Sequence, residues 1–254
     1  MTDLLDLTGK TALVTGASSG LGRHFAQVLA RHGARVAVAA RRSERLEALC
    51  AEIEGQGGRA MPVKLDVRDP ESVAHAVASA ETELGAISVL VNNAGVAPSG
   101  PALETAPEQW DQVLDTNLRG AWLVAQETAR HMARLGHGGS IVNIASILGL
   151  RGASQVPAYC AAKAGLINLT RALAGELARH EIRVNALCPG YIVTDLNRAF
   201  LESKAGESLK KRIPQRRFGL PQDLDGTLLL LASDASRYMT GAVLAVDGGQ
   251  SATL

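Results

Sequence analysis

Thr11-Ala-Leu-Val-Thr15, followed at once by Gly16-Ala-Ser-Ser-Gly20-Leu-Gly22, is the stretch that decides the fold. The first five residues are a strand candidate that ends at a glycine-rich turn. The glycines that follow permit a tight turn, and a helical pattern then runs from Gly20 to His32. A helix that starts at such a turn points unpaired N–H groups and a positive dipole end at whatever lies over the strand. That arrangement receives a phosphate. The spacing G-x-x-x-G-x-G departs from the common dinucleotide pattern G-x-G-x-x-G, so the turn alone also reads as an ordinary strand-to-helix loop.

The same alternation continues outward along the chain. Strands are expected at 35–40, 59–65, 88–91, 140–145, 183–187 and 243–246. Helices are expected at 43–54, with Ser43 as N-cap, and at 70–84, 107–134, 157–180 and 221–232. Pro157 stands where a missing N–H does no harm, at a helix start. Residues 191–218 read as irregular and charged. Strands alternating with helices require right-handed crossovers. The expectation is therefore a single α/β domain over 1–254, of the doubly wound Rossmann type. Its mainly parallel sheet has seven strands, helices on both faces and a starting order of 3-2-1-4-5-6. Ligands of such sheets sit at the carboxyl ends of the strands, which selects the loops after Thr15, Ala40, Leu65, Val91, Ala145 and Leu187.

Composition narrows the partners. Lys and Arg number 26 against 25 Asp and Glu, for a net charge of +1, so the whole-chain balance does not suggest a nucleic-acid partner. The longest apolar runs are too short for a bilayer, and the first ten residues do not read as a signal peptide. Three cysteines, Cys50, Cys160 and Cys188, suit a reducing compartment, and a cytoplasmic location is expected. Cys160 and Cys188 read as buried small apolar residues. No Cys/His cluster has metal-ligand spacing, so no metal is expected.

Further motifs follow in order: Asn92-Asn93-Ala94-Gly95, Asn117 in the long helix, Ser146 after the fifth strand, Tyr159-Cys160-Ala161-Ala162-Lys163, Pro189-Gly190-Tyr191-Ile192-Val193-Thr194 and Val246-Asp247-Gly248-Gly249. With the turn at 15–22 they span nearly the whole chain, which resembles the short-chain dehydrogenase/reductase family in its branch of about 250 residues. The resemblance implies a catalytic set of Asn117, Ser146, Tyr159 and Lys163. Tyr159 would exchange a proton with the carbonyl or alcohol oxygen, and Ser146 would orient that oxygen. Lys163 would favour the phenolate and hold the cofactor ribose. Asn117 would hold a water that links Lys163 to solvent. Tyrosine titrates near 10 in water, so a neighbouring ammonium four residues along one helix face is the kind of group it needs. Ser146 lacks the G-x-S-x-G surroundings of a serine nucleophile, which argues against a hydrolase.

For the cofactor, the resemblance implies Gly16, Ser18, Ser19, Gly20, Leu21 and Gly22 at the phosphates, and Asp66 with Val67 at the adenine. It implies Asn93, Ala94 and Gly95 at the ribose, and Pro189, Gly190, Ile192 and Thr194 at the nicotinamide end. NAD users of this fold carry an acid at the end of the second strand. Here that position is Ala40, and Arg41 and Arg42 follow, which favours NADP(H) over NAD(H).

Residues 191–218 are expected to form a lid over a small-molecule ketone or alcohol, with Val96, Ile147, Leu148, Val156, Tyr191 and Leu196 lining a mostly apolar pocket. An NAD(H)-linked sugar or polyol dehydrogenase and a 3-oxoacyl thioester reductase are the alternatives. The latter is weakened by His137 and Gly175, where carrier-protein users carry arginines. A nucleotide sensor without turnover would be expected to lose the tyrosine or lysine, and both are present. The resemblance also implies a homotetramer built through the two long helices and the C-terminal segment.

Overall fold

The computed structural model describes residues 4–195 and 197–252. Strand β1 (Thr11–Thr15) is buried at every position. Ala12 and Val14 join one core with Phe25 and Leu29, whereas Leu13 joins the opposite core with Val73, Val77 and Leu90. Strand β2 (Arg35–Ala40) divides in the same way, with Val36 and Val38 on one side and Ala37 and Ala39 on the other. Period-two geometry sends neighbouring side chains to opposite faces, so a strand apolar at both needs a helix layer on each.

Those layers are present. Helices α1 (Gly20–Arg31) and α2 (Ser43–Gly55) cover one face, and α3 (Pro70–Leu84) covers the other. With β3 (Arg59–Lys64), β4 (Ile87–Asn92), β5 (Gly139–Ile144), β6 (Ile182–Pro189) and β7 (Val243–Val246), the sheet has seven strands in the order β3-β2-β1-β4-β5-β6-β7. Every neighbouring pair is parallel, so the sheet is wholly rather than mainly parallel. Chain order reverses between β1 and β4, which opens a crevice at their carboxyl ends.

The expected helix at 107–134 is interrupted. It consists of α4 (Pro107–Leu114), one π-turn at Asp115–Arg119 and α5 (Gly120–Leu135). Gly120 lets this bend approach the loop after β3, since a Cβ there would lie 2.7 Å from Val67 Cγ2. Helix α6 (Pro157–Leu177) starts at its proline as expected, and a 3-10 turn at Ala178–His180 follows it. The segment read as irregular holds two short helices, α7 (Arg198–Leu201) and α8 (Lys204–Lys210), anchored by buried Leu201, Leu209 and Ile213. The helix expected from Pro221 opens with a 3-10 turn and continues as α9 (Asp225–Ala232). Ser43 is the first helical residue of α2 rather than its cap; Arg42 occupies the cap position and makes no side-chain cap bond. Among the described residues no helix is long and apolar enough to cross a membrane, and no cluster of His, Cys, Asp and Glu could hold a metal ion.

Candidate active site

A cavity of about 860 Å³ lies across the carboxyl ends of the strands. It is lined by Gly16 after β1, Ala40 at the end of β2, Leu65 after β3, Asn93 after β4, Ala145 after β5 and Pro189 at the end of β6. All six loops selected by the topology rule therefore meet at one site.

At one end the glycine turn is open to the cavity. Ser19 caps α1 without a side-chain hydrogen bond, and Ser18, Ser19, Gly20 and Leu21 all line the wall. The first-turn N–H groups are thus not consumed by a serine cap. Gly16 has φ +68°, and a Cβ on it would come 2.9 Å from Ala94 Cα. Gly22 does not line the cavity; a Cβ there would meet Asn93 Nδ2 and Gly16 O, so it keeps the turn packed from beneath. This bare, close-fitting turn at a helix start fits a pyrophosphate.

Thr15 holds the next loop in place. Its hydroxyl accepts hydrogen bonds from the backbone N–H groups of Asn93 and Ala94, both at 3.0 Å. Asn93 Nδ2 returns the link by donating to Thr15 O at 3.0 Å. Asp66 and Val67 form the wall past β3. Arg68 donates to both Asp66 carboxylate oxygens, at 3.1 and 2.7 Å, and holds that carboxyl down at about 2 despite its partial burial.

Arg41 and Arg42 stand at the rim beside the turn. Arg42 Nη2 donates to Ser18 Oγ at 2.9 Å and Ser19 Oγ at 3.2 Å, which holds its guanidinium over the phosphate turn.

Ser146, Tyr159 and Lys163 gather on the wall facing β5 and α6. Ser146 is buried and its Oγ accepts from Leu148 N at 3.1 Å. Burial pushes the Tyr159 phenol above its ordinary 10, and a hydrogen bond with Ser146 opposes that rise. Lys163 lies 5.6 Å from the Tyr159 ring centroid and donates to Ile144 O at 2.7 Å. Burial lowers its ammonium to about 8, with no carboxylate among the causes. Both ends of the proton-handling pair are therefore pushed toward neutrality by the dry wall, and an added cation would draw Tyr159 back down.

Asn117 lies one layer behind the wall, fully buried in the π-turn. Its Oδ1 accepts from Val96 N and its Nδ2 donates to Val96 O, both at 2.8 Å. The amide thus clamps the loop after β4. A second polar chain supports α6: Asn92 Nδ2 donates to Asn143 Oδ1 at 3.2 Å, and Asn143 Nδ2 donates to Thr170 Oγ1 at 2.9 Å. Buried amides paired in this way fix one arrangement of β4, β5 and α6.

The far end of the cavity is bounded by Val96, Ile147, Leu148, Val156 and Tyr191, as expected; Leu196 lies outside the described residues. Pro189, Gly190, Ile192 and Thr194 also line it. Cys188 is buried, with its thiol pushed up to about 11, whereas Cys160 is only half-buried and departs from the expected core role. Sequence reading missed Thr15, Arg68, Gln112, Thr116 and Asn197. Gln112 and Thr116 share a helix face four residues apart, a signal that was available; Asn197 binds Ile192 O and Thr194 N within its own loop and had none.

Comparison with known proteins agrees with this geometry. The family model described as enoyl-(acyl carrier protein) reductase matches residues 16–251. The chain is 42% identical over 250 residues to an L-rhamnose 1-dehydrogenase (NAD(P)(+)) of Sphingomonas sp. (strain SKA58), covering 98% of each protein. It is 40% identical over 243 residues to a 3-oxoacyl-[acyl-carrier-protein] reductase of Thermotoga maritima, covering 96% of this chain and 98% of that one. The crystal structure of a gluconate 5-dehydrogenase from Burkholderia cenocepacia, in complex with NADP and tartrate, superposes with a TM-score of 0.95 at 35% identity and 99% coverage of both chains. The parallel sheet, the glycine turn and these relatives lead to one conclusion: the chain belongs to the short-chain dehydrogenase/reductase family of oxidoreductases.

Proposed function

We propose that this chain interconverts a ketone and a secondary alcohol with NADP(H), and that Tyr159 is its general acid and base. The observation that carries the reading is the meeting of Ser146, Tyr159 and Lys163 on one wall of a cavity that begins at the glycine turn. When bound, the nicotinamide supplies or accepts the hydride. Its phosphates would rest on Gly16, Ser18, Ser19, Gly20 and Leu21, its adenine against Asp66 and Val67, and its ribose near Asn93, Ala94 and Gly95. Pro189, Gly190, Ile192 and Thr194 would hold the nicotinamide end. Arg41 and Arg42 would receive a 2′-phosphate.

In reduction, Tyr159 Oη donates its proton to the carbonyl oxygen, which Ser146 Oγ also hydrogen-bonds. Lys163 stabilises the phenolate left behind and holds ribose hydroxyls. Asn117 keeps the β4 loop seated and, with a water held at the π-turn, links Lys163 to solvent. The segment 191–218 acts as the lid within a single domain, and the free cysteines suit a reducing cytoplasm.

A sugar or polyol dehydrogenase is the second reading, favoured by the names of the rhamnose and gluconate relatives. Absorbance at 340 nm separates the two. With NADPH, simple ketones should be consumed faster than sugars or acyl thioesters. Turnover confined to sugars would replace the ketone reading, and no turnover of any class would end it.

The same reading includes a homotetramer. A groove whose apolar lining is Leu114, Leu118, Trp122 and Leu169 runs from the end of α4 across the π-turn and α5 to α6, with Trp122 left 37% exposed. Light scattering should give four times 26.5 kDa; a monomer at micromolar concentration would refute it.

A further inference from the structure

The segment after β6 supplies cavity wall at Ile192, Thr194 and Asn197. Two sets of bonds hold it in place. The first is a strap to Gly219: Ile192 forms a parallel bridge with it, Val193 N donates to Gly219 O at 2.8 Å, and Gly219 N donates to Tyr191 O at 3.0 Å. That strap ends at Val193. Beyond it the wall depends on Asn197. Asn197 Oδ1 accepts from Thr194 N at 2.8 Å and from the Thr194 hydroxyl at 3.2 Å. Asn197 Nδ2 donates to Ile192 O at 2.8 Å.

Asn197 stands directly before α7, where an asparagine ordinarily caps the helix by accepting from a first-turn N–H. Here its side chain makes no cap bond and turns back to the wall instead. The amide can lie only one way round. Ile192 O only accepts and Thr194 N only donates, so a flipped amide would set N–H against N–H and oxygen against oxygen. A carbonyl oxygen cannot donate, so the Thr194 hydroxyl gives its proton to Asn197 Oδ1. Among the described residues that hydroxyl makes no other hydrogen bond. What Thr194 has left for the cavity is its lone pairs.

We infer that Asn197 is a positioning residue that commits the Thr194 hydroxyl as a hydrogen-bond acceptor toward the cavity, so that this wall selects a ligand with an N–H donor there. The inference rests on the reading above in which residues 189–194 hold the nicotinamide end. The donor is then the amide NH2 of the nicotinamide carboxamide. A carboxamide offers both a donor and an acceptor, and Asn197 determines which of the two suits Thr194.

The test is a binding comparison by calorimetry. The parent is titrated with NADP+ and with its 3-acetylpyridine analogue, in which a methyl group replaces the amide NH2. NADP+ should bind about three- to tenfold more tightly, the scale of one neutral hydrogen bond. Asn197→Ala frees the hydroxyl to donate, so the ratio should fall to near one. Asn197→Asp keeps an acceptor for Thr194 and should keep the ratio, whatever it does to absolute affinity. Thr194→Val should lose the ratio in a loop that Asn197 still holds through Thr194 N and Ile192 O. A merely structural Asn197 gives another pattern: Asn197→Ala weakens both ligands equally and leaves the ratio unchanged. That result overturns the inference, as does a parent ratio of one. If Asn197→Ala does not fold, the other two variants decide: a ratio kept in Thr194→Val, or lost in Asn197→Asp, overturns it. Ketone turnover does not enter the measurement, so failure of the ketone reading leaves it intact. Titration with NAD+ and its own analogue separates the cofactor reading. If only that pair binds, the NADP(H) preference falls and the ratio still decides Asn197; if neither pair binds, both fall.

Discussion

Tyr159→Phe should lower turnover by about 10²- to 10⁴-fold, the usual contribution of a positioned acid or base. The substitution removes one oxygen from a half-buried ring, so the packing of α6 should survive. On the proposed mechanism this hydroxyl is the group that gives a proton to a carbonyl oxygen held by Ser146. Cofactor affinity, measured by fluorescence titration, should stay near that of the parent, because Lys163 and the glycine turn are untouched. The pH dependence carries the sign of the argument. Burial raises the phenol above 10 in the cofactor-free protein. Alcohol oxidation needs the phenolate, so its rate should climb as pH rises toward the phenol's pKa. Ketone reduction uses the neutral form and should fall over the same range. The Lys163 ammonium, lowered to about 8 by burial, limits how far it can assist as pH rises. A folded Tyr159→Phe protein with parental kcat would exclude Tyr159 from proton transfer.

The fold was legible because its signals are local and repeated. The strand Val36-Ala-Val-Ala-Ala40 is apolar at both parities, which requires a helix layer on each face, and both layers are present. The strand ends then placed the site, since one topological rule selects all six loops that line the cavity. Three features were not legible, each for a physical reason. The π-turn at Asp115–Arg119 leaves the apolar pattern of the long helix unbroken, and its cause is tertiary: the Asn117 amide reaches Val96, and Gly120 meets Val67. The lid helices α7 and α8 are too short to show a period, and they are held by a few buried anchors such as Leu201 and Leu209. Arg42 was legible as a guanidinium that favours a 2′-phosphate, but its link to the turn was not. Its bonds to Ser18 and Ser19 join residues more than twenty positions apart, which local pattern does not reveal.

Kinetic preference for NADPH over NADH is the second large effect expected, and it rests on the end of β2. Ala40 is buried there and leaves the usual acidic position neutral, while Arg41 is exposed at the cavity rim beside Arg42. A charge-assisted hydrogen bond contributes roughly 1.5–3 kcal/mol, which corresponds to a preference of about 10- to 150-fold in kcat/KM. The two arginines should differ in their roles. Arg42 is already engaged with both turn serines, so its replacement should disturb the pyrophosphate site and weaken both cofactors. No hydrogen bond from the Arg41 side chain links it to the turn among the described residues, so Arg41→Ala should weaken NADPH and leave NADH nearly unaffected. The double change Ala40→Asp with Arg41→Val should reverse the preference. It removes one attraction, adds a repulsion against the 2′-phosphate and supplies an acceptor for the 2′-hydroxyl. Because Arg41 is exposed, its share should shrink at high salt, where charges are screened within a few ångströms. Equal kcat/KM values for the two cofactors in the parent, or a preference for NADH, would mean that both arginines only face solvent and that the 2′-phosphate site is absent.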